Sequence, residues 1–337
     1  MRQVTHRARF GVILRWVFYC PKGIKMAQNI KGPRSYTHTA ESNADLVKKI
    51  LGRNLQADPA ELLALLESVG YYRLKGYLIP FYLPKTEVFA PSTTLTDITS
   101  VYMFDRHLRE MALDAIARLE VAMRARIVKV VCDQDPNPLA YTDKAFFGNL
   151  SAFKHAQLLI QIANNVHRSK NEPFIAHAKQ EYGFEDLPPI WTIMEVLSFG
   201  TMMDFFEGLS DSMKIKIADE FHVRPSVLSG WFSLIRKVRN VCAHHGRLWN
   251  RCLQNQITSQ IGAHPLLIPL HDCLIAQTKK HCSSVFTALS VIAYCVQIVR
   301  PQSGWKRRCK ALISNASPFT LHGMDVPANW QQMTLWQ

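Results

Sequence analysis

Acidic residues are scarce in this chain: 26 Asp and Glu stand against 40 Lys and Arg over 337 positions, a formal charge of +14. That deficit favours an anionic partner, nucleic acid or an acidic membrane surface, over a merely solvated basic face. Also missing is any CxxC pair among the eight cysteines, and with it the spacing of a small disulfide-stapled domain or a common zinc site. Reduced thiols are therefore expected. His271, Cys273, His281 and Cys282 read as core and surface residues, and no metal or cofactor is called for.

No apolar run reaches the ~20 residues that span a bilayer. The stretch from Ser283 to Val299 is shorter, contains Gln297 and reads as a buried helix. The N-terminus pairs a basic start with an apolar run, but Arg15 interrupts it and no small-x-small cleavage site follows. Residues 1–25 are expected to be an extension, disordered or lying upstream of a true start near Met26. The protein is expected in the cytoplasm and off the membrane. Alternating Val/Ile-rich strands and Asn-Gly hairpin signals are scarce too, which argues against a β-rich fold.

What is present is apolar periodicity at three- and four-residue spacing, with 48% hydrophobic and 20% charged residues. The fold class expected is mainly α. Residues 26–90 should hold a helical hairpin and a Tyr-rich segment. Its first helix begins near Ser42, and its second begins at Asp58 with Pro59 in the first turn and closes at Gly70. Tyr71, Tyr72, Tyr77, Phe81 and Tyr82 then interleave with Arg73 and Lys75 before Pro80 and Pro84. Residues 91–300 should form the helical core. Within it a long helix runs from Thr96 to about Cys132, with Asp105, Arg106, Arg124 and Arg126 read as intramolecular ion pairs. Another runs from Ser151 to about Arg168, followed by a looser connection up to Pro188 and Pro189. A last helix covers Leu274 to Val299. Residues 301–337 read as a C-terminal tail.

The segment WFSLIRKVRNVCAHHGRLWN, Trp231 to Asn250, carries the candidate chemistry. At ~100 degrees per residue, Leu234, Ile235, Val238, Val241, Cys242, Leu248 and Trp249 form one apolar stripe. His245 falls inside it and is expected to be structural, a buried imidazole with one partner. Asn240 and His244 share the opposite face with Arg236 and Arg247. His244 is thus accessible, with an unperturbed pKa of about 6.5 suited to proton transfer. Arg239 sits on the shoulder of the stripe and must wrap round, or meet a second copy, to act with His244. Spacing alone leaves a solvated polar face without chemistry equally open.

RNVCAHH resembles the signature of the HEPN superfamily, an Arg, often followed by Asn, with a His after four to six residues; Arg239, Asn240 and His244 fit it. The wider set GYYRLKGYLIPF, FDRHLREMALDAIARLEVAMRARI, PPIWTIMEVLSFGTM and KVRNVCAHHGRLWNR, in that order, is similar to the bacterial Abi-like family, abortive-infection proteins of the AbiD and AbiF type. The likeness covers about residues 40–255, and GMDVPANW resembles the family's close.

The resemblance implies a HEPN-type four-helix core with additional N-terminal helices and a role in phage defence or as a toxin. It also implies metal-independent RNA cleavage at a site shared by two copies, with RNA as partner and in some relatives a structured small RNA. The catalytic residues implied are Arg239, Asn240 and His244. Arg236, Arg247 and Arg251 would bind RNA backbone, with Arg73 and Tyr72 on unpaired bases. For the tyrosines, core packing between the helical hairpin and the long helix is the favoured reading over base stacking. The alternative function is a non-catalytic module that holds RNA or a protein partner.

Overall fold

A computed structural model describes residues 39–184, 187–253, 257–258, 261–262, 264–276 and 283–337. Among them are fourteen α-helices, short 3-10 turns and no strand, only isolated bridges such as Leu253 with Ser283. The fold is mainly α, consistent with a HEPN-like bundle.

Local chemistry sets the first boundaries. Helix α1 (Asn43–Leu51) is capped by Ser42, whose hydroxyl accepts from the Asp45 N–H at 3.2 Å. Helix α2 (Pro59–Val69) is capped by Asp58, which accepts from Ala60 and Glu61, and it ends at Gly70. The two pack together as a hairpin. Helix α3 (Tyr71–Leu78) gives way to a 3-10 turn at Ile79–Phe81, where Pro80 removes a donor.

Helix α4 (Leu95–Gln134) starts from a reciprocal capping box, in which Thr94 accepts from the Asp97 N–H and Asp97 accepts from the Thr94 N–H. It continues unbroken for 40 residues. Of its periodic apolar positions Val101, Phe104, Leu108, Met111, Leu113, Ile116, Leu119, Val121, Met123 and Ile127, Val121 alone is well exposed, at 65%.

Then come α5 (Ala152–Arg168), α6 (Pro173–Tyr182), α7 (Ile190–Val196), α8 (Phe199–Gly208), α9 (Asp211–Asp219) and α10 (Pro225–Ala243). The C-terminal part adds α11 (Ile268–Ile275), α12 (Val285–Val299), α13 (Trp305–Ser314) and α14 (Pro318–Gly323). Helix α4 is the axis: α12 and α10 pack along it most extensively, with α9 and α13 beside them. Every residue of α12 from Val285 to Val296 is buried, as its apolar sequence requires. No helix of the described residues is long and apolar enough to cross a membrane.

Four features of the fold depart from the sequence reading or add to it. The looser connection after Arg168 contains α6, because Pro173 stands at a helix start, where its missing N–H costs nothing. The expected helix from Leu274 is α12, starting at Val285 under a Ser284 cap, preceded by the separate α11. The segment 301–337 is packed into the core through Trp305, Cys309, Ile313, Trp330 and Trp336. Finally, Cys252 is disulfide-bonded rather than reduced, while Cys132, Cys242, Cys273, Cys295 and Cys309 are free. Residues 1–25, His281 and Cys282 lie outside the described residues, among which no group of three or more candidate metal ligands occurs.

Candidate functional site

Helix α10 delivers the motif and stops inside it. Its last helical residue is Ala243, and His244 is the C-cap, with its N–H on the Asn240 carbonyl at 3.1 Å. His245 follows with φ of 55°. Its N–H bonds the Cys242 carbonyl at 3.0 Å, and the Gly246 N–H reaches the Val241 carbonyl at 2.7 Å. This pair of bonds is a Schellman motif with His245 in the left-handed position that usually takes glycine. At Gly246 a Cβ would stand 3.1 Å from the Val241 carbonyl oxygen, so this close return favours a residue without one.

The structural role expected of His245 as a buried imidazole is therefore corrected. The helix ends before the angular projection reaches it, and both His244 and His245 are exposed. Its contribution is to the backbone reversal. A left-handed residue with a Cβ costs about 1–2 kcal/mol, which glycine avoids. His245→Gly should hence melt at or above the parent, and the β-branched His245→Val, worse suited to the left-handed position than histidine, should unfold at lower denaturant. A lower-melting glycine variant would mean that the imidazole itself makes a stabilising contact.

Asn240 is exposed beside His244, and Arg239 is half-buried, its guanidinium without a hydrogen bond or ion pair among the described residues. Arg236 lies beside Asp204 of α8, whose carboxyl burial pushes up while Arg236 pulls it down. Cys242, inside the motif, is buried, and that burial pushes its thiol up to about 12, so it remains a neutral core residue.

Beyond the turn the chain is clamped inward. The Arg247 guanidinium donates to the Gly76 carbonyl of α3 and lies 5.9 Å and 5.8 Å from the ring centroids of Tyr77 and Trp249. Burial lowers its pKa to about 10, which leaves it cationic at neutral pH. Arg247 was expected on a polar, RNA-facing surface; its guanidinium is instead spent within the fold. Arg251, also half-buried, bonds the Arg247 carbonyl at 2.8 Å. Tyr72 is 91% exposed on α3, and Arg73 next to it is half-buried. Because Arg247 docks on Gly76, one turn from Tyr72, the structure does bring α3 against the motif segment.

The residue that organises this segment is Asp105 of α4, fully buried. One carboxylate oxygen accepts from the backbone N–H of Leu248 at 3.1 Å and of Trp249 at 2.6 Å. The other accepts from the Tyr77 hydroxyl at 2.6 Å and pairs with Arg109. Burial opposes the charge on Arg109, but Asp105 and Tyr77 hold its pKa above the usual value, while burial and the same carboxylate push the Tyr77 phenol far up. Trp249 is held from its far side, where its indole donates to the Thr320 carbonyl at 2.9 Å. Gly323 approaches so closely that a Cβ would stand 2.5 Å from that ring. The reading of Asp105 as part of an ion pair holds, as it does for Arg106 with Glu110, Arg124 with Glu120 and Arg126 with Glu220. What sequence reasoning missed is that Asp105, paired with Arg109 one turn on, holds the chain just past the histidines. The i, i+4 spacing of opposite charges in FDRHLRE was the available signal.

No curated protein and no solved structure matches the chain. Residues 64–250, which run from α2 through the Asp105 node and the end of α10 to Asn250, match the family model described as Abi-like protein. The match covers more than half of the 337 residues, and the chain belongs to the Abi-like protein family.

Proposed function

We propose that this Abi-like protein is an endoribonuclease of an abortive-infection system, cleaving RNA at the C-terminal end of α10 without a metal ion. The observation that carries the reading is the placement of the motif. His244 and Asn240 stand exposed at the end of α10, and the guanidinium of Arg239 on the same helix makes no hydrogen bond or ion pair among the described residues. RNA carries its own nucleophile, the 2′-OH, beside the scissile phosphate. Cleavage then needs a group to move a proton and positive charge on the developing phosphorane oxygens.

In this reading His244 moves the proton. Arg239 places its fork of donors on the phosphoryl oxygens, and Asn240 orients the imidazole or the phosphate. Arg236 and Arg251 attract the backbone, and Tyr72 with Arg73 offers an aromatic and cationic surface to an unpaired base. The second reading, a non-catalytic module that holds a structured RNA or a protein partner, draws on the same basic surface. An RNase assay in EDTA with product-end analysis separates the two. Cleavage by 2′-OH attack leaves 2′,3′-cyclic phosphate ends, and intact RNA after incubation with folded, RNA-bound protein would favour the second.

Arg239 and His244 lie five residues apart across a helix end, so a second copy is the natural source of the complementary group, and a homodimer is part of the proposal. Specific activity should then fall when the protein is diluted below its dimer dissociation constant. Sedimentation of a monomer that keeps full activity at every dilution would refute the shared site.

A further inference from the structure

We propose a second RNA-backbone surface on the outer face of α13, separate from the end of α10 and outside the family-matched residues. Charge distribution leads to it. Residues 221–324 hold 13 Lys and Arg but a single acidic residue, Asp272, a local balance of +12 within a chain of +14. From 273 to 324 there is no acidic residue at all. Helix α13 turns Trp305, Cys309 and Ile313 inward, all fully buried, and the Trp305 indole donates to the Met111 carbonyl of α4 at 2.8 Å. Arg307 is exposed on its outer side, Lys306 and Lys310 are half-buried along its flank, and Arg300 is exposed just before it. Among the described residues none of these four has an ion-pair partner. Arg308 differs, since it shares Asp114 with Arg118.

Two further features choose the partner. No large apolar side chain is exposed between residues 300 and 314, so α13 has no face to bury in a lipid interface. Unneutralised Lys and Arg on a fixed helix suit a phosphate backbone read without regard to sequence. The contact is also distinct in place. On α4, Asp114 lies about half a turn round from Asp105, so α13 and the α10 turn flank different sides of the long helix. RNA held at both would wrap the α4 axis, with α13 anchoring a part of the molecule that is not cleaved. The inference goes beyond the nuclease reading, because it needs RNA to bind but not to be cut.

The test measures binding of a fluorescent single-stranded 2′-O-methyl RNA by anisotropy over a range of salt, since that RNA cannot undergo 2′-OH attack. The variant replaces Arg300, Lys306, Arg307 and Lys310 by Gln; the control replaces the exposed Lys48, Lys85, Lys154 and Lys170 by Gln, removing equal charge elsewhere. The α13 variant should bind at least about tenfold more weakly near physiological salt. Its slope of log affinity against log salt should be shallower by about 3, at ~0.7 per lost phosphate contact on a single strand. The control should change far less, and Arg307→Glu alone should already weaken binding. Equal loss in the control would reduce the effect to net charge and overturn the proposal, as would unchanged affinity in the α13 variant. Release of the α13 variant from phosphatidylserine vesicles that retain the parent, with RNA binding intact, would overturn it in favour of a membrane.

Discussion

His244→Ala is expected to fold and melt like the parent while losing RNA cleavage by about 10²–10⁴-fold, the usual contribution of one positioned acid or base. The side chain is exposed at a helix C-cap, and the bonds that terminate α10 come from the backbone N–H groups of His244, His245 and Gly246, which the substitution keeps. Surface changes of this kind usually shift stability by less than about 0.5 kcal/mol. RNA binding should persist, because Arg236, Arg251 and the α13 face remain, and it should weaken with salt. The informative comparison is with its neighbour. His245→Ala keeps the left-handed turn at a modest cost and should still cleave. Since both imidazoles are exposed at the same helix end, the reverse outcome, activity lost with His245 and kept without His244, would transfer the catalytic role to His245. Retention of cleavage in both would remove histidine from the mechanism.

The parts of this site that local chemistry controls were legible in the sequence, and the parts that depend on distant segments were not. Ser42, Asp58 with Pro59, and Ser151 mark helix starts because a side-chain oxygen or a missing N–H acts within three residues of itself. The long apolar period of α4 and the unbroken apolar stretch of α12 survive as predicted for the same reason: burial of a periodic face is a property of the segment. The end of α10 was missed because its terminator is His245 and not a glycine. The apolar period also carries on through Leu248 and Trp249, which are buried by Asp105, Thr320 and Gly323 rather than by a helix. Arg247 was misplaced by the same error of one turn. Its real surroundings, Gly76 and Tyr77, lie about 170 residues away in sequence, where no local pattern reaches.

Asp105 should therefore be the position at which a single substitution costs the fold most. Replacement by Ala strands Arg109 as a buried, uncompensated cation, and removing one partner of such a pair typically costs about 3–5 kcal/mol. The Leu248 and Trp249 amides and the Tyr77 hydroxyl lose their acceptor as well, which adds a penalty that overlaps the first rather than summing with it. Asp105→Asn keeps the shape and one acceptor but not the charge, so it should fall between parent and Ala in denaturant unfolding. The double variant Asp105→Ala, Arg109→Met should recover part of the loss, because it removes the orphaned charge together with its partner. Three links run from this carboxylate to the proposed chemistry: it holds Leu248 and Trp249, these follow the Gly246 return, and that return fixes the histidines. Under conditions where the Asp105→Asn protein is still folded, its cleavage should consequently drop more than its RNA binding, since the basic residues remain while the turn loosens. Full stability in Asp105→Ala would show that the buried node is dispensable; full cleavage in a measurably destabilised Asp105→Asn would show that it does not set the geometry of the α10 turn.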